Sequence, residues 1–285
     1  MRSDVEVSRR LLIADGTAAL EAAGLGAPRR EALRLWAEVA DETPDAVLLD
    51  AGQPLPRERA AAFAAAIRRR AAGEPFAYVA GRAGFRHLTL RSDARALIPR
   101  PETEGLVDLV LARAPAGRVA DVGTGSGCIA LSLASEGEYH EVVGIDLAAD
   151  ALRLAEENRP LTGARVAFVR GDFCRPLRPS SLDALVSNPP YLTTAEHAAL
   201  DPSVRDWEPA AALDGGADGL EAFGQLVSQG YEVVRPGGWL AVEIDCARAA
   251  LCAWRAGAAG WTDVAIHADL FGRERYLLAR RSEAP

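Results

Sequence analysis

ADVGTGSGCIAL, residues 120–131, passes from a strand-like run into a helical one through a turn with glycine at every second position: Gly123, Gly125 and Gly127. Without a Cβ, such a turn can bend sharply and let a ligand approach the backbone. Thr124 and Ser126 fill the alternate positions, and Asp121 precedes the turn. The spacing is GxGxG, not the GxGxxG of dinucleotide enzymes. Glycine turns between strand and helix also arise for packing alone, so the flanking sequence has to decide their use.

Working outward, RVADVG (118–123) is followed by candidate strands EVVGID (141–146), RVAFVR (165–170), LDALVSN (182–188), GWLAVEID (238–245), TDVAIHAD (262–269) and RYLLAR (275–280). Helical stretches CIALSLASE (128–136), LAADALRLAEENRP (147–160) and GLEAFGQLVSQGYEVV (219–234) separate them. Strands alternating with helices predict an α/β fold, a seven-stranded, mostly parallel sheet covered on both faces. The last two strands have no helix between them and predict an antiparallel hairpin at one edge. Upstream, apolar residues recur at helical spacing in 8–25 and 30–42, and Pro56 and Gly73 bracket another helix. The expected division is a helical domain at 1–80, a hairpin linker at 81–98 and a catalytic domain at 99–285. Arg68, Arg69 and Arg70 close the third helix, where a solvated last turn favoured by the helix dipole is expected over phosphate binding.

Composition narrows the function. The chain has 285 residues, 49% of them hydrophobic, enough for a substantial core. No apolar run is long enough to cross a membrane, and no signal peptide is readable, so a cytoplasmic protein is expected. The net charge of −8 lacks the overall footprint of a nucleic-acid binder. Every basic side chain is arginine, so no lysine can serve as nucleophile or Schiff base. The four cysteines and four histidines are dispersed, without metal-ligand spacing. Buried reduced thiols and no metal are expected, and nothing demands an oligomer.

Three strand ends converge at the carboxyl edge of such a sheet, where open α/β folds bind ligands. The glycine turn ends the first strand. Asp146 ends the second, where a carboxylate can accept from both hydroxyls of a ribose. Asp172 and Phe173 follow the third, one able to accept from an exocyclic amine, the other to pack on a planar base. Asp121 and Asp146 would repel phosphates. A cationic nucleoside, S-adenosyl-L-methionine, fits better.

The fourth strand ends in Asn188-Pro189-Pro190-Tyr191. Proline fixes its own φ and pushes the residue before it toward extended backbone. The Asn188 side-chain oxygen and the Pro189 carbonyl can then face one planar NH2 group, with Tyr191 stacked behind it. That arrangement suits methyl transfer to an amide or ring-amine nitrogen, whose delocalised lone pair needs alignment more than a strong base.

With these motifs in view, the sequence resembles the N5-glutamine methyltransferases of peptide chain release factors. The matching pieces are GEPFAYVAG (73–81), LIPRPETE (97–104), DVGTGSG (121–127), SNPPY (187–191), VRDWEP (204–209) and GRERY (272–276). The resemblance implies an S-adenosylmethionine-dependent class I methyltransferase domain, Rossmann-like, behind a small N-terminal helical domain that helps engage the release factor. It implies transfer to the side-chain amide of the glutamine in a Gly-Gly-Gln tripeptide. Carried over, Gly123, Thr124, Gly125, Ser126, Gly127, Asp146, Phe173 and Asn188 hold the cofactor. Asn188, Pro189, Pro190 and Tyr191 bind the glutamine, with Asn188, Pro189 and Tyr191 as the catalytic set. Arg100 and Glu104 border the site, and Asp121 and Asp172 complete the candidates. The tetrad also occurs in adenine-N6 DNA methyltransferases and ribosomal-protein glutamine methyltransferases, so methylation of nucleic-acid adenine or of another protein glutamine competes with this reading. A non-catalytic cofactor-binding protein is the third alternative.

Overall fold

The computed structural model describes residues 8–43 and 56–283. The chain divides into two units, residues 1–82 with 202–207, and residues 83–201 with 208–285. The expectations for 1–7 and 44–55 lie outside the described residues.

In the first unit, helices Arg9–Ala22, Pro28–Ala40 and Arg57–Ala71 bury an apolar core around Leu20, Leu35, Trp36, Phe63 and Ile67. The Trp36 and Phe63 rings meet edge to face with centroids 5.3 Å apart, a favoured aromatic arrangement. Gly16 permits this packing, because a Cβ there would come within 2.9 Å of the Phe63 ring. The arginine run is a solvated last turn at the exposed Arg68 and Arg69, but not at Arg70. Arg70 donates to Glu31 at 2.6 Å and so ties the third helix to the second, while Arg69 pairs with Glu74 and donates to the Tyr78 carbonyl. A helical wheel cannot show this, because Glu31 is distant in sequence.

The second unit opens with a two-stranded hairpin, β1 Arg82–Phe85 and β2 Leu88–Arg91. A short 3-10 turn, Pro101–Thr103, leads into helix Glu104–Arg113. The main sheet has seven strands: β3 Ala116–Val122, β4 Glu138–Asp146, β5 Ala167–Arg170, β6 Leu182–Ser187, β7 Val234–Glu243, β8 Trp261–Ala268 and β9 Glu274–Arg281. Their order is β5-β4-β3-β6-β7-β9-β8. The pairs from β5 to β7 are parallel, while β9 runs antiparallel to both its neighbours. The predicted edge hairpin is present, but its second strand is the inner one. Helix Ala249–Ala258, between β7 and β8, was not read from the sequence. Its buried stripe, Ala249, Cys252 and Ala256, consists of small residues, while Leu251 and Trp254 face outward.

Fully buried Leu106, Leu131 and Leu133 cover one face of the sheet, and Leu226, Cys252 and Ala256 the other. All four cysteines are free, but Cys128 is only half-buried and Cys246 is exposed, against the expectation of burial. After β5 the chain returns to lay β6 on the opposite side of β3. That reversal is a switch point, and it opens a crevice at the carboxyl ends of β3 and β6. Asp121 sits beside Val186 in register, so the glycine turn and the Asn188 loop leave the sheet side by side.

Candidate active site

The glycine turn is fixed by its own backbone and by two acids. Gly123 and Thr124 both donate to the Ile145 carbonyl, at 2.8 and 2.9 Å. The Thr124 hydroxyl and the Ala130 amide donate to Asp121 Oδ2, at 2.6 and 3.2 Å. Asp121 is fully buried, and burial pushes its carboxyl up to about 7. Gly127 has φ +84°, and a Cβ there would press on Phe168, Ala155 and Leu131 at 3.1–3.2 Å. Only glycine fits that position without strain.

Asp146 ends β4 with each carboxylate oxygen already receiving one backbone donor, Gly125 N on Oδ2 and Ala148 N on Oδ1, both at 2.9 Å. Each oxygen retains acceptor capacity. Burial raises its pKa, against the lowering effect of these amides.

A cavity of about 420 Å³ lies over these strand ends, within the range of small-molecule sites. Gly123, Thr124, Gly125, Ser126 and Asp146 form one wall, and Asp172 and Phe173 another. Phe173 takes φ +50°, and its ring packs partly into the core. Asn188, Pro189, Pro190 and Arg100 complete the enclosure. Gly127, Asp121, Tyr191 and Glu104 do not line it. Gly127 and Asp121 shape the turn from beneath. Glu104 instead accepts from the Arg86 amide at 2.9 Å and so braces the hairpin. The Tyr191 phenol is largely buried, which pushes its pKa up to about 12.

The Asn188 amide is oriented by residues the sequence reading did not single out. Its Nδ2 donates to Thr103 Oγ1 at 3.0 Å, and the Thr103 hydroxyl donates to Glu243 Oε2 at 2.7 Å. Asn188 Oδ1 is left as the free end of the amide.

The loop at 188–192 is also clasped by LDGGADGL (213–220). Leu192 N donates to the Leu213 carbonyl and Gly215 N to the Leu192 carbonyl, at 3.1 and 2.7 Å. A Cβ on Gly215 would sit 2.6 Å from the Pro190 carbonyl, and one on Gly219 2.5 Å from that of Tyr191. The density of glycine and aspartate there was the available signal.

Arg100 pairs with Glu208, whose side chain is 1% exposed and which also accepts from the Ile98 amide at 3.1 Å. This pair ties LIPRPETE to the Glu208-Pro209 end of VRDWEP beside the cavity. Asn158, fully buried, accepts from Arg91 N at 2.7 Å and donates to the Arg91 and Ser126 carbonyls. No grouping of metal-ligating side chains occurs among the described residues.

A glycine turn at a switch point, an acid closing the next strand and an aromatic after the third make a cradle for a nucleoside. The free acceptor capacity of Asp146 and the cavity's volume fit one with a ribose. Together the fold and cradle define a class I methyltransferase, an enzyme class that draws its methyl group from S-adenosyl-L-methionine. A methyltransferase from Pyrococcus furiosus shares this fold, with a TM-score of 0.53 over 68% of this chain and 88% of that one, at 17% identity. Residues 102–202 match the methyltransferase small domain and residues 12–81 the PrmC N-terminal domain. The chain is 40% identical to the release factor glutamine methyltransferase of Deinococcus radiodurans, over 96% of this chain and 98% of that protein. It is equally similar to the one from Moorella thermoacetica, covering 96% of this chain and 99% of the relative. The chain belongs to the release factor glutamine methyltransferase family.

Proposed function

We propose that this enzyme methylates the side-chain amide nitrogen, N5, of the glutamine in the Gly-Gly-Gln motif of peptide chain release factors. One observation carries the reading. The Asn188-Pro189 loop stands on the wall of the nucleoside cavity with its amide oriented by Thr103, leaving Oδ1 to accept. The names of the relatives support the choice of release factors over other proteins.

S-adenosyl-L-methionine, when bound, supplies an electrophilic methyl group. Gly123 to Ser126 and Asp146 are assigned to hold it, with Phe173 against its base and Asp172 near the base edge. The two prolines keep Asn188 and Pro189 extended. Asn188 Oδ1 and the Pro189 carbonyl accept the two N–H groups of the glutamine amide. This points the nitrogen lone pair at the donor and stabilises the positive charge that develops there. A glutamate in the same place has no N–H to offer and meets two acceptors, so it is rejected.

Incubating the purified chain with release factor and the cofactor, then analysing release-factor peptides by mass spectrometry, is expected to find one methyl group on the Gly-Gly-Gln glutamine. A release factor with that glutamine changed to alanine is expected to gain none. Methyl groups elsewhere in the factor, in DNA, or nowhere overturn the proposal.

A further inference from the structure

Glu243 is the last residue of β7, buried to 1% exposure, and does not line the cavity. Burying a carboxylate is costly unless it is paired and hydrogen-bonded. Among the described residues its hydrogen-bonded side-chain partner is Thr103, itself 2% exposed, which in turn receives the Asn188 amide. The sheet brings these residues together. Ser187 of β6 lies beside Val242 of β7, so Asn188 and Glu243 are the next residues along adjacent strands. The turn carrying Thr103 is held down by Tyr276 of β9, whose hydroxyl donates to the Glu102 carbonyl.

The direction of these hydrogen bonds depends on charge. An ionised carboxylate only accepts. Thr103 must then spend its single proton on Glu243, and its oxygen can only accept toward Asn188. The Asn188 amide therefore presents NH2 to Thr103 and its oxygen to the ligand. Arg275 lies by Oε1, so a proton goes to Oε2, the oxygen that meets Thr103, and Glu243 then reverses the chain. It donates to Thr103, Thr103 donates to the Asn188 oxygen, and the amide turns its NH2 outward. A donor there faces the N–H groups of an incoming amide and repels them.

We propose that Glu243 is a positioning residue for methyl transfer, its carboxylate fixing through Thr103 the orientation of the Asn188 amide that aligns the substrate nitrogen. This rests on the amide-methylation reading above. The groups facing Glu243 come from several elements. Arg275 of β9 lies 3.9 Å from Oε1, and Arg100 also favours the charged form, while Glu102 of the 3-10 turn opposes it. The Tyr191 and Tyr276 phenols and the Cys128 thiol are within its electrostatic reach. Arg275 is itself shared with Asp269 at 2.7 Å. The net balance is set by burial, which pushes the Glu243 carboxyl up to about 7. Protonation therefore falls within the working range, and turnover is lost as pH drops through it.

The test is the kcat–pH profile with purified release factor and saturating cofactor, for the wild type and four variants. The wild type is expected to show an acid limb centred near pH 7. In Glu243→Gln the amide oxygen faces Arg275, leaving the NH2 to donate to Thr103, which mimics the protonated acid. Its kcat is expected to fall about tenfold or more at pH 8, with no acid limb and a much smaller change in cofactor Kd. Thr103→Val is expected to lose kcat similarly, Thr103→Ser to restore it, and Glu243→Asp to retain part of the rate with a displaced limb. A flat wild-type profile overturns the inference without any variant. So does Glu243→Gln with wild-type turnover, or with the limb intact, or Thr103→Val equal to Thr103→Ser. Failure of the wild type to methylate release factor at any pH would instead sink the proposed function.

Discussion

At position 158 a fully buried asparagine uses both ends of its amide. It closes a pair of hydrogen bonds with the Arg91 backbone and holds the Ser126 carbonyl from below the glycine turn. Asn158→Ala takes the partner from three backbone groups, the buried Ser126 carbonyl and the part-buried Arg91 N–H and carbonyl. It is expected to cost about 1–3 kcal/mol of stability, read by urea unfolding, and to weaken cofactor binding through the loosened turn. Asp146→Ala is expected to weaken cofactor binding directly, measured by calorimetry, and unchanged affinity removes the ribose assignment. Asn188→Ala should act mainly on kcat, by roughly 2–4 kcal/mol if it resembles loss of other aligned polar groups. Unchanged turnover contradicts its role. Asp146 and Asn188 were legible because each stands at a strand end beside a recognisable motif. Asn158 was not, since a polar residue in a helix reads as solvent-facing until its surroundings are known.

The elements around the site show the same divide between local and distant information. The strand, glycine turn and helix at 116–136 follow from periodicity and from glycine's freedom at positive φ. The sequence reading places Gly219 and Leu220 in a helix, which begins only at Glu221, and assigns nothing to 213–218, yet this segment clasps the Asn188–Tyr191 backbone. Gly219 combines φ +72° with a Cβ position 2.5 Å from the Tyr191 carbonyl. Gly219→Ala must therefore displace one loop or the other. It is expected to lower kcat while leaving cofactor affinity near wild type, since the glycine turn is untouched. An unchanged rate removes the clasp from the argument. Arg248 strengthens the same joint, bonding Glu196, Asp245 and the Asp218 carbonyl.

Over the whole molecule, buried and paired carboxyls pull stability in opposite directions with pH. Arg86 clasps Glu136 and holds its pKa below the usual value. That pairing stabilises the fold above the ordinary carboxylate range and is lost on acidification. Asp121 behaves in reverse. Its carboxyl sits near 7 when folded, against 3.8 in the open chain, so between those values the folded state holds a proton the unfolded state releases. Stability from this group falls as pH rises through that window. Asp121→Asn is expected to remove the penalty. Its stability relative to wild type, from cofactor-free urea melts, should improve between pH 5 and pH 8 by about 2–3 kcal/mol. A pH-independent difference contradicts the buried-acid account.

By itself the sequence determined the α/β pattern, the glycine turn and which residues stand at each strand end. These depend on contacts within one turn or one strand, where side-chain period, glycine and proline act directly on the backbone. The tertiary structure alone decided that β9 inserts between β7 and β8, and that Thr103 meets Glu243 and Asn188 across separations of 140 and 85 residues. It also decided that Glu208 reaches Arg100 from 108 residues away. Such meetings are set by strand order and register, which arise when the two faces of the sheet are buried together. No local pattern encodes them, because each partner alone looks like an ordinary polar residue.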